Sequence, residues 1–387
     1  MKYDDRYIVE LSRAAIFDDT PFVPEESLDW EYIYNKSIEQ NITGLIASVI
    51  PKVPQNKQPK DFQKWQSSLF KTISIMGRRN AEFERILREL KNNSVAPLCL
   101  KGIVVKDIYP TPELRTMGDF DILIEKEERD ICESTFDNMG YKLTKNTLFF
   151  EVDKGFVHGE VFFSLEDDFR KRPWLWDKEL KQNVGFENGK KTLLPTYEFA
   201  YSIIHTAKHL VREGCGIRNL LDAVLLLKHK SNEIDMNVVE RICKSQAYER
   251  ILYFIITAAE IYYDVKIRSN IIRISQNETE VFVDYLLQYG IFGKEIEGNV
   301  LAQQVVRREG NDVSPLRRIF FPPKEMIWHR YQYVKKSSLL LPVAWIHRFI
   351  TAVFVKKYSI SSMLDGIDKS LEYGYEHDVW MEKLQIK

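Results

Sequence analysis

The chain has 387 residues, and its 55 lysines and arginines nearly balance its 56 aspartates and glutamates. This length is enough for roughly two or three domains with hydrophobic cores. The hydrophobic fraction of 44% and the charged fraction of 29% are those of an ordinary globular protein. The near-neutral charge argues against extended binding along a nucleic-acid backbone, because such binding needs a basic field.

The cysteines and the N-terminus indicate the cellular compartment. The four cysteines form no Cys-x-x-Cys pair and fit no zinc spacing, so we expect reduced thiols; they are Cys99, Cys132, Cys215 and Cys243. The first ten residues are acidic and lack the apolar stretch of a signal peptide. No run of about twenty apolar residues occurs, so we expect no transmembrane segment. These features predict a cytoplasmic protein.

The residue pattern predicts three regions and an α+β fold. Residues 1–96 are expected to form an N-terminal helical region that ends in a long amphipathic helix over residues 62–90. Residues 97–195 alternate short apolar runs with turns, as a small mixed α/β core does. Residues 196–387 are expected to form a mainly helical C-terminal domain. The predicted architecture is therefore a small mixed sheet flanked by helical regions on both sides.

Within the core, the first predicted strand covers residues 98–100 and a second begins at residue 119. A short helix is expected between them, and a longer helix over residues 126–139 should follow the second strand. Further strands are predicted at residues 141–143, 148–152, 156–163 and 192–194.

Two aspartates begin the second strand and lie on the same side of it. Asp119 and Asp121 are separated by one residue, and side chains alternate between the faces of a strand. Adjacent carboxylates repel each other, and a divalent cation removes that cost. Mg²⁺ prefers one or two carboxylates together with phosphate oxygens. We therefore predict that Asp119 and Asp121 bind Mg²⁺ or Mn²⁺.

These aspartates are preceded by a strand, a glycine and the start of a helix. This arrangement can bind phosphate through free backbone N–H groups. The turn is Lys101-Gly102; by itself it is a weak signal, because glycine often follows a strand. Lys101 is expected either to contact phosphate or to point to solvent. Arg115 is expected to orient the aspartates or contact phosphate, or else to form a loop salt bridge.

These motifs together resemble the nucleotidyltransferase superfamily of the polymerase-beta type. They are similar above all to a bacterial group of large, largely uncharacterised nucleotidyltransferases, often encoded near genes for surface polysaccharide or peptide modification. The residues that carry the resemblance are Leu100-Lys101-Gly102, Tyr109-Pro110, Arg115, Asp119 and Asp121. The resemblance implies Mg²⁺-dependent transfer of a nucleoside monophosphate from a nucleoside triphosphate to a hydroxyl or phosphate acceptor. A two-metal reaction of this kind needs about three carboxylates.

The third carboxylate implied by the resemblance is Glu160, on the strand predicted over residues 156–163. Glu151 and Asp153, on the preceding predicted strand, are alternatives to Glu160. The sequence departs from the group at two positions. Ile103 follows Gly102 where the group has serine or glycine, and Phe162 stands where it often has histidine.

A helix after the sheet carries polar residues on one face. His205, Lys208 and His209 have the spacing i, i+3 and i+4. The resemblance implies that Lys208, with His205, binds the triphosphate. A zinc site that uses both histidines and an exposed polar face are the alternatives. Further on, Arg218 either lines the nucleotide side of the cleft with Asp222, as the resemblance implies, or pairs with Asp222 within the helix. Asp222 is alternatively expected to be a structural brace that holds the lysine and arginine side chains.

Several alternatives remain open at this level. Trp174 and Trp176, on an expected loop, either stack on a base or sugar or pack in the core. Residues 339–355 are apolar and form either a buried helix or a segment on a membrane surface. The protein could instead be a toxin-type nucleotidyltransferase acting on tRNA, or a non-catalytic nucleotide-binding protein with a decayed fold. The sequence does not identify the acceptor.

Overall fold

The structure is a computed structural model, which describes residues 1–146, 148–212, 214–289, 321–322, 327, 331, 333–351 and 376–386. Contacts between Cα atoms divide the chain into two compact units. The first unit comprises residues 1–208 and 215–291, and the second comprises residues 209–214 and 292–387.

Four helices form the N-terminal part of the first unit. Two of them begin at an aspartate whose side chain accepts backbone N–H groups, Asp29 and Asp61, and such caps satisfy donors that a helix start leaves unpaired. The bounds are α1 (Tyr3–Phe17), α2 (Trp30–Glu39), α3 (Thr43–Val49) and α4 (Phe62–Asn92). The predicted long amphipathic helix is α4.

A seven-stranded mixed sheet follows, in the order β3-β4-β5-β2-β1-β7-β6. The pairs β1–β7 and β2–β5 are parallel, and the other neighbouring pairs are antiparallel. The predicted α+β class is therefore confirmed. The strands are β1 (Leu98–Leu100), β2 (Asp119–Leu123), β3 (Lys142–Lys145), β4 (Phe149–Lys154), β5 (Val157–Phe162), β6 (Val184–Glu187) and β7 (Lys190–Leu193).

One face of this sheet is apolar and packs against two helices, α4 and α6 (Arg129–Asn138). Phe120 and Ile122 of β2 and Val161 of β5 belong to this core. Gly159 lies directly beneath the Phe120 ring, and a Cβ atom at Gly159 would come within 2.2 Å of that ring. The side chains that alternate with these residues lie on the other face of the sheet.

The sequence pattern predicts only one strand of the hairpin β6–β7. Asn188 and Gly189 join its strands with φ angles of 49° and 78°, which is the conformation of a two-residue type I′ turn. The sequence pattern predicts only a strand at 192–194, whereas β7 begins at Lys190 and β6 precedes it. Two other short elements connect the core, α5 (Gly102–Val105) and α7 (Pro173–Gln182).

Helices complete the first unit after the sheet, as the pattern predicts. The apolar helices α9 and α11 pack against α1. Most sides of α9 carry buried residues. The bounds are α8 (Pro195–Arg212), α9 (Ile217–Lys230), α10 (Met236–Gln246), α11 (Glu249–Tyr263) and α12 (Gln276–Tyr289).

In the second unit the structure describes a helix, α13 (Leu341–Ile350), which has a proline in its first turn. Val343 and Ile346 on this helix are exposed, so the expectation of a buried helix is wrong for this face. Residues 352–355 of the same predicted segment lie outside the described residues. Among the helices that the structure describes, none has the length and apolarity to cross a membrane.

Candidate functional site

Three carboxylates share the polar face of two adjacent strands. Asp119 begins β2 at an exposed position, and Asp121 is only 7% exposed. In the parallel pair β2–β5, Glu160 is the direct register partner of Asp121. Register partners in a sheet point to the same side. We call Asp119, Asp121 and Glu160 the carboxylate face.

The carboxylate face concentrates negative charge at low solvent exposure. Burial and the charge of Asp121 raise the pKa of Glu160 to about 7. Burial also raises the pKa of Asp121, and the charge of Asp119 adds to this effect, although Lys101 opposes it. These raised pKa values mean that burial and mutual repulsion both disfavour the ionised carboxylates. Such a face favours a cation.

The alternative third carboxylates lie one strand further from β2. Glu151 on β4 is the register partner of Glu160, and Asp153 is that of His158. Both side chains are exposed. Sequence reasoning missed His158, which is the register partner of Asp119 and whose Nδ1 lies 3.6 Å from Asp153 Oδ1. Its position two residues before Glu160 was the available signal.

Lys101 points toward the carboxylate face. Its ammonium donates a hydrogen bond of 2.9 Å to Asp121 Oδ1, and its side chain is 16% exposed. The alternative of a solvent-directed lysine is therefore wrong. The helix after it, α5, has only four residues, and so short a helix carries little dipole. Positive charge at this turn comes from side chains.

The side chain of Arg115 passes close to Gly102. A Cβ atom at this position would lie 2.1 Å from Arg115 Nη1. Arg115 forms an ion pair of 2.7 Å with Asp222 of α9, and Tyr109 donates a hydrogen bond of 2.8 Å to the same carboxylate. Asp222 thus holds the Arg115 guanidinium beside the glycine turn.

Arg218 does not pair with Asp222 as the local spacing suggests. Its Nη1 donates instead to the backbone oxygen of Thr116, at 3.0 Å, and Asp222 is taken by Arg115. Burial and the neighbouring charge of Arg115 lower the pKa of Arg218 to about 10. Two crowded guanidinium groups near the start of β2 would be stabilised by an anion.

The helix α8 contributes a second group of polar side chains, which gather around Asp168. Lys208 Nζ lies 2.5 Å from Asp168 Oδ1 and 2.9 Å from Asp167 Oδ2. Tyr201 donates a hydrogen bond of 2.6 Å to Asp168 Oδ2. His205 Nδ1 lies 3.9 Å from that oxygen. Lys208 is therefore not part of a purely solvated helix face.

Asp168 also connects this cluster with Lys101. Burial acts to raise the pKa of Asp168, but the neighbouring His205 and the charges of Lys208 and Lys101 hold it well below its usual range. Burial and the charge of Lys101 lower the pKa of His205 to about 4. The imidazole is therefore neutral at pH 7. Sequence reasoning missed Asp168, which lies in a short turn after β5.

The two tryptophans that the sequence singles out differ in their exposure to solvent. Trp174 and Trp176 lie in α7 and not on a loop. Trp176 is 5% exposed and packs in the core, whereas Trp174 is 63% exposed and remains available for stacking. Within the described residues, no three His, Cys, Asp or Glu side chains are already grouped to hold a metal ion.

Comparison with known protein families gives a match over the sheet and its flanking helices. The profile of a family described as uncharacterised nucleotidyltransferase matches residues 26–264. This range contains all seven strands, the carboxylate face and the polar residues of α8 and α9. No curated protein matches the chain, and no solved structure does.

Proposed function

Since the chain belongs to this family of uncharacterised nucleotidyltransferases, we propose that it transfers a nucleoside monophosphate from a nucleoside triphosphate to a hydroxyl or phosphate acceptor. The observation that carries the proposal is the carboxylate face. Asp121 and Glu160 are register partners on parallel strands, and Asp119 lies on the same face of β2. Crowded carboxylates repel each other, so a bound cation would stabilise them.

Mg²⁺ or Mn²⁺ is the proposed metal, and the carboxylate face would hold it. The donor set consists of hard carboxylate oxygens, which suit these cations. The ammonium of Lys101 already lies against Asp121, which supports the view that this position accommodates positive charge. When bound, the metal would polarise the phosphate and activate the attacking oxygen.

Cationic side chains at the segment before β2 and from α8 would bind the triphosphate. Arg115 and Arg218 lie at the segment that leads into β2, and planar guanidinium groups suit phosphate oxygens. Lys208 extends from α8 and is oriented by Asp168. Cationic side chains that are already held in position stabilise a leaving pyrophosphate without first having to move.

The test is label transfer from each α-³²P-labelled nucleoside triphosphate, with Mg²⁺ or Mn²⁺ and a cell extract as the source of acceptors. Asp121→Asn and Glu160→Gln should lower transfer by more than about 100-fold. Loss of a residue that only hydrogen-bonds a metal ligand already costs up to about 100-fold, and these two residues are proposed as the ligands themselves. Glu151→Gln is the matched control and should retain activity, because Glu151 lies one strand further away.

The products of this assay also separate the alternatives. Label found in RNA would favour the tRNA-modifying enzyme, and label in protein or small molecules would identify another acceptor class. Triphosphate binding without any transfer would indicate a non-catalytic nucleotide-binding protein. Loss of activity in Glu151→Gln but not in Glu160→Gln would reassign the third carboxylate.

A further inference from the structure

The backbone of Lys101 has a conformation that favours glycine. Its φ and ψ angles are 54° and −128°, a region that residues with a Cβ atom rarely adopt. Strain of this kind persists where surrounding interactions determine the conformation, and it clusters at functional sites. The side chain of Lys101 therefore needs an explanation beyond the turn itself, since glycine would form the turn more easily.

Contacts of the ammonium supply that explanation. Lys101 Nζ lies 2.9 Å from Asp121 Oδ1 and 5.3 Å from the centre of the Phe162 ring. Burial acts to lower the pKa of Lys101, but the charges of Asp121, Asp168 and Glu160 raise it above its usual value. The group is a permanent cation held against the carboxylate face.

One ammonium neutralises only part of this negative charge. The carboxylate face has three acidic side chains on two neighbouring strands, and the hydrogen bond of Lys101 reaches one of them. The Lys101 ammonium lies 2.9 Å from Asp121 Oδ1, so a divalent cation bound to the same carboxylate would lie close to this positive charge and would be repelled by it. Lysine is a compact charge on a flexible stem, so its ammonium can leave Asp121 without movement of the strand.

We infer that Lys101 and the divalent metal compete for Asp121, and that a bound triphosphate relieves the competition by offering the displaced ammonium a new anionic partner. This inference rests on the proposed function. Linkage then requires metal and triphosphate to strengthen each other's binding. Lys101 is in this view a positioning residue that suppresses binding of the metal alone.

The experiment measures Mn²⁺ binding by the full-length protein, with free Mn²⁺ quantified by electron paramagnetic resonance. Without nucleotide, Lys101→Met should bind Mn²⁺ about 10-fold more tightly than wild type, which corresponds to the loss of one charge-assisted hydrogen bond that competes with the metal. Lys101→Gly should show the same change, since it removes both the ammonium and the backbone strain. Lys126→Met, an exposed lysine after β2, is the control for net charge and should match wild type.

A second measurement uses a non-hydrolysable α,β-methylene triphosphate. The analogue should tighten Mn²⁺ binding of wild type by a larger factor than that of Lys101→Met. Unchanged or weaker Mn²⁺ binding by both Lys101 variants, while wild type binds Mn²⁺ with the analogue, would overturn this inference alone. No Mn²⁺ binding by wild type even with the analogue would overturn the proposed metal dependence, and this inference with it.

Discussion

Replacement of Asp168 by asparagine gives a direct measure of how strongly the polar cluster on α8 is organised. The carboxylate is buried and accepts hydrogen bonds from Lys208 and Tyr201 at 2.5 and 2.6 Å. Asparagine has nearly the same shape but no charge. The substitution therefore leaves packing intact and removes the counter-charge of Lys208.

The size of the destabilisation depends on which contacts Lys208 keeps in the Asp168→Asn variant. Breaking a buried ion pair by removing one partner costs about 3–5 kcal/mol. Lys208 keeps a second contact to Asp167, so we expect Asp168→Asn to lower the free energy of unfolding by about 2–4 kcal/mol. Asp167 is the matched control, because it touches the same ammonium but is 63% exposed. Asp167→Asn should cost at most about 1 kcal/mol.

Urea unfolding at several pH values provides the measurement. The pKa of Asp168 is lower in the folded protein than the ordinary value of ~3.9, so its contribution is complete above that value and is lost as the pH falls below it. The difference between wild type and Asp168→Asn should be constant from pH 7 to 5 and shrink below about pH 4. Equal destabilisation by the two variants would refute the reasoning.

Two further predictions concern stability. Burial lowers the pKa of His205 from 6.5 to about 4, so the stabilising effect of His205 is complete above pH 6.5 and is lost as the pH falls toward 4. The unfolding free energy of wild type relative to His205→Asn should therefore decrease by about 3 kcal/mol between pH 7 and 4. A difference that does not change with pH would contradict this prediction. Gly159→Ala should cost at least about 2 kcal/mol by overpacking, because its Cβ would meet the Phe120 ring. Gly118→Ala, where nothing lies within 4 Å, should be nearly neutral, and similar melting temperatures for both alanine variants would argue against the close contact.

Local patterns allowed part of this site to be predicted. The alternation of Asp119 and Asp121 with Phe120 and Ile122 has the period of a strand, so both the strand and its polar face follow from five consecutive residues. The Asn188-Gly189 turn is equally local and could have revealed β6. The sequence therefore contains a local signal for β6.

Contacts between distant residues could not be predicted in this way. Asp168 is 33 residues from Tyr201 and 40 from Lys208 in the chain, and an acidic turn gives no sign of such partners. Asp222 lies four residues from Arg218, yet it pairs with Arg115, which is 107 residues away. A local i, i+4 pair contributes only about 0.2–0.5 kcal/mol, so the buried tertiary ion pair prevails.

The geometry of the carboxylate face depends on the apolar face behind it. Side chains alternate along a strand, so if one of the two strands β2 and β5 slipped by one residue, its carboxylates would turn toward the core. The ring of Phe120 fills the space above Gly159, its direct register partner, and that fit is lost in any other register. The next residues along the two strands are Asp121 and Glu160, which are thereby brought side by side. The same contact that stabilises the core thus fixes the spacing of the acidic groups on which the proposed chemistry depends.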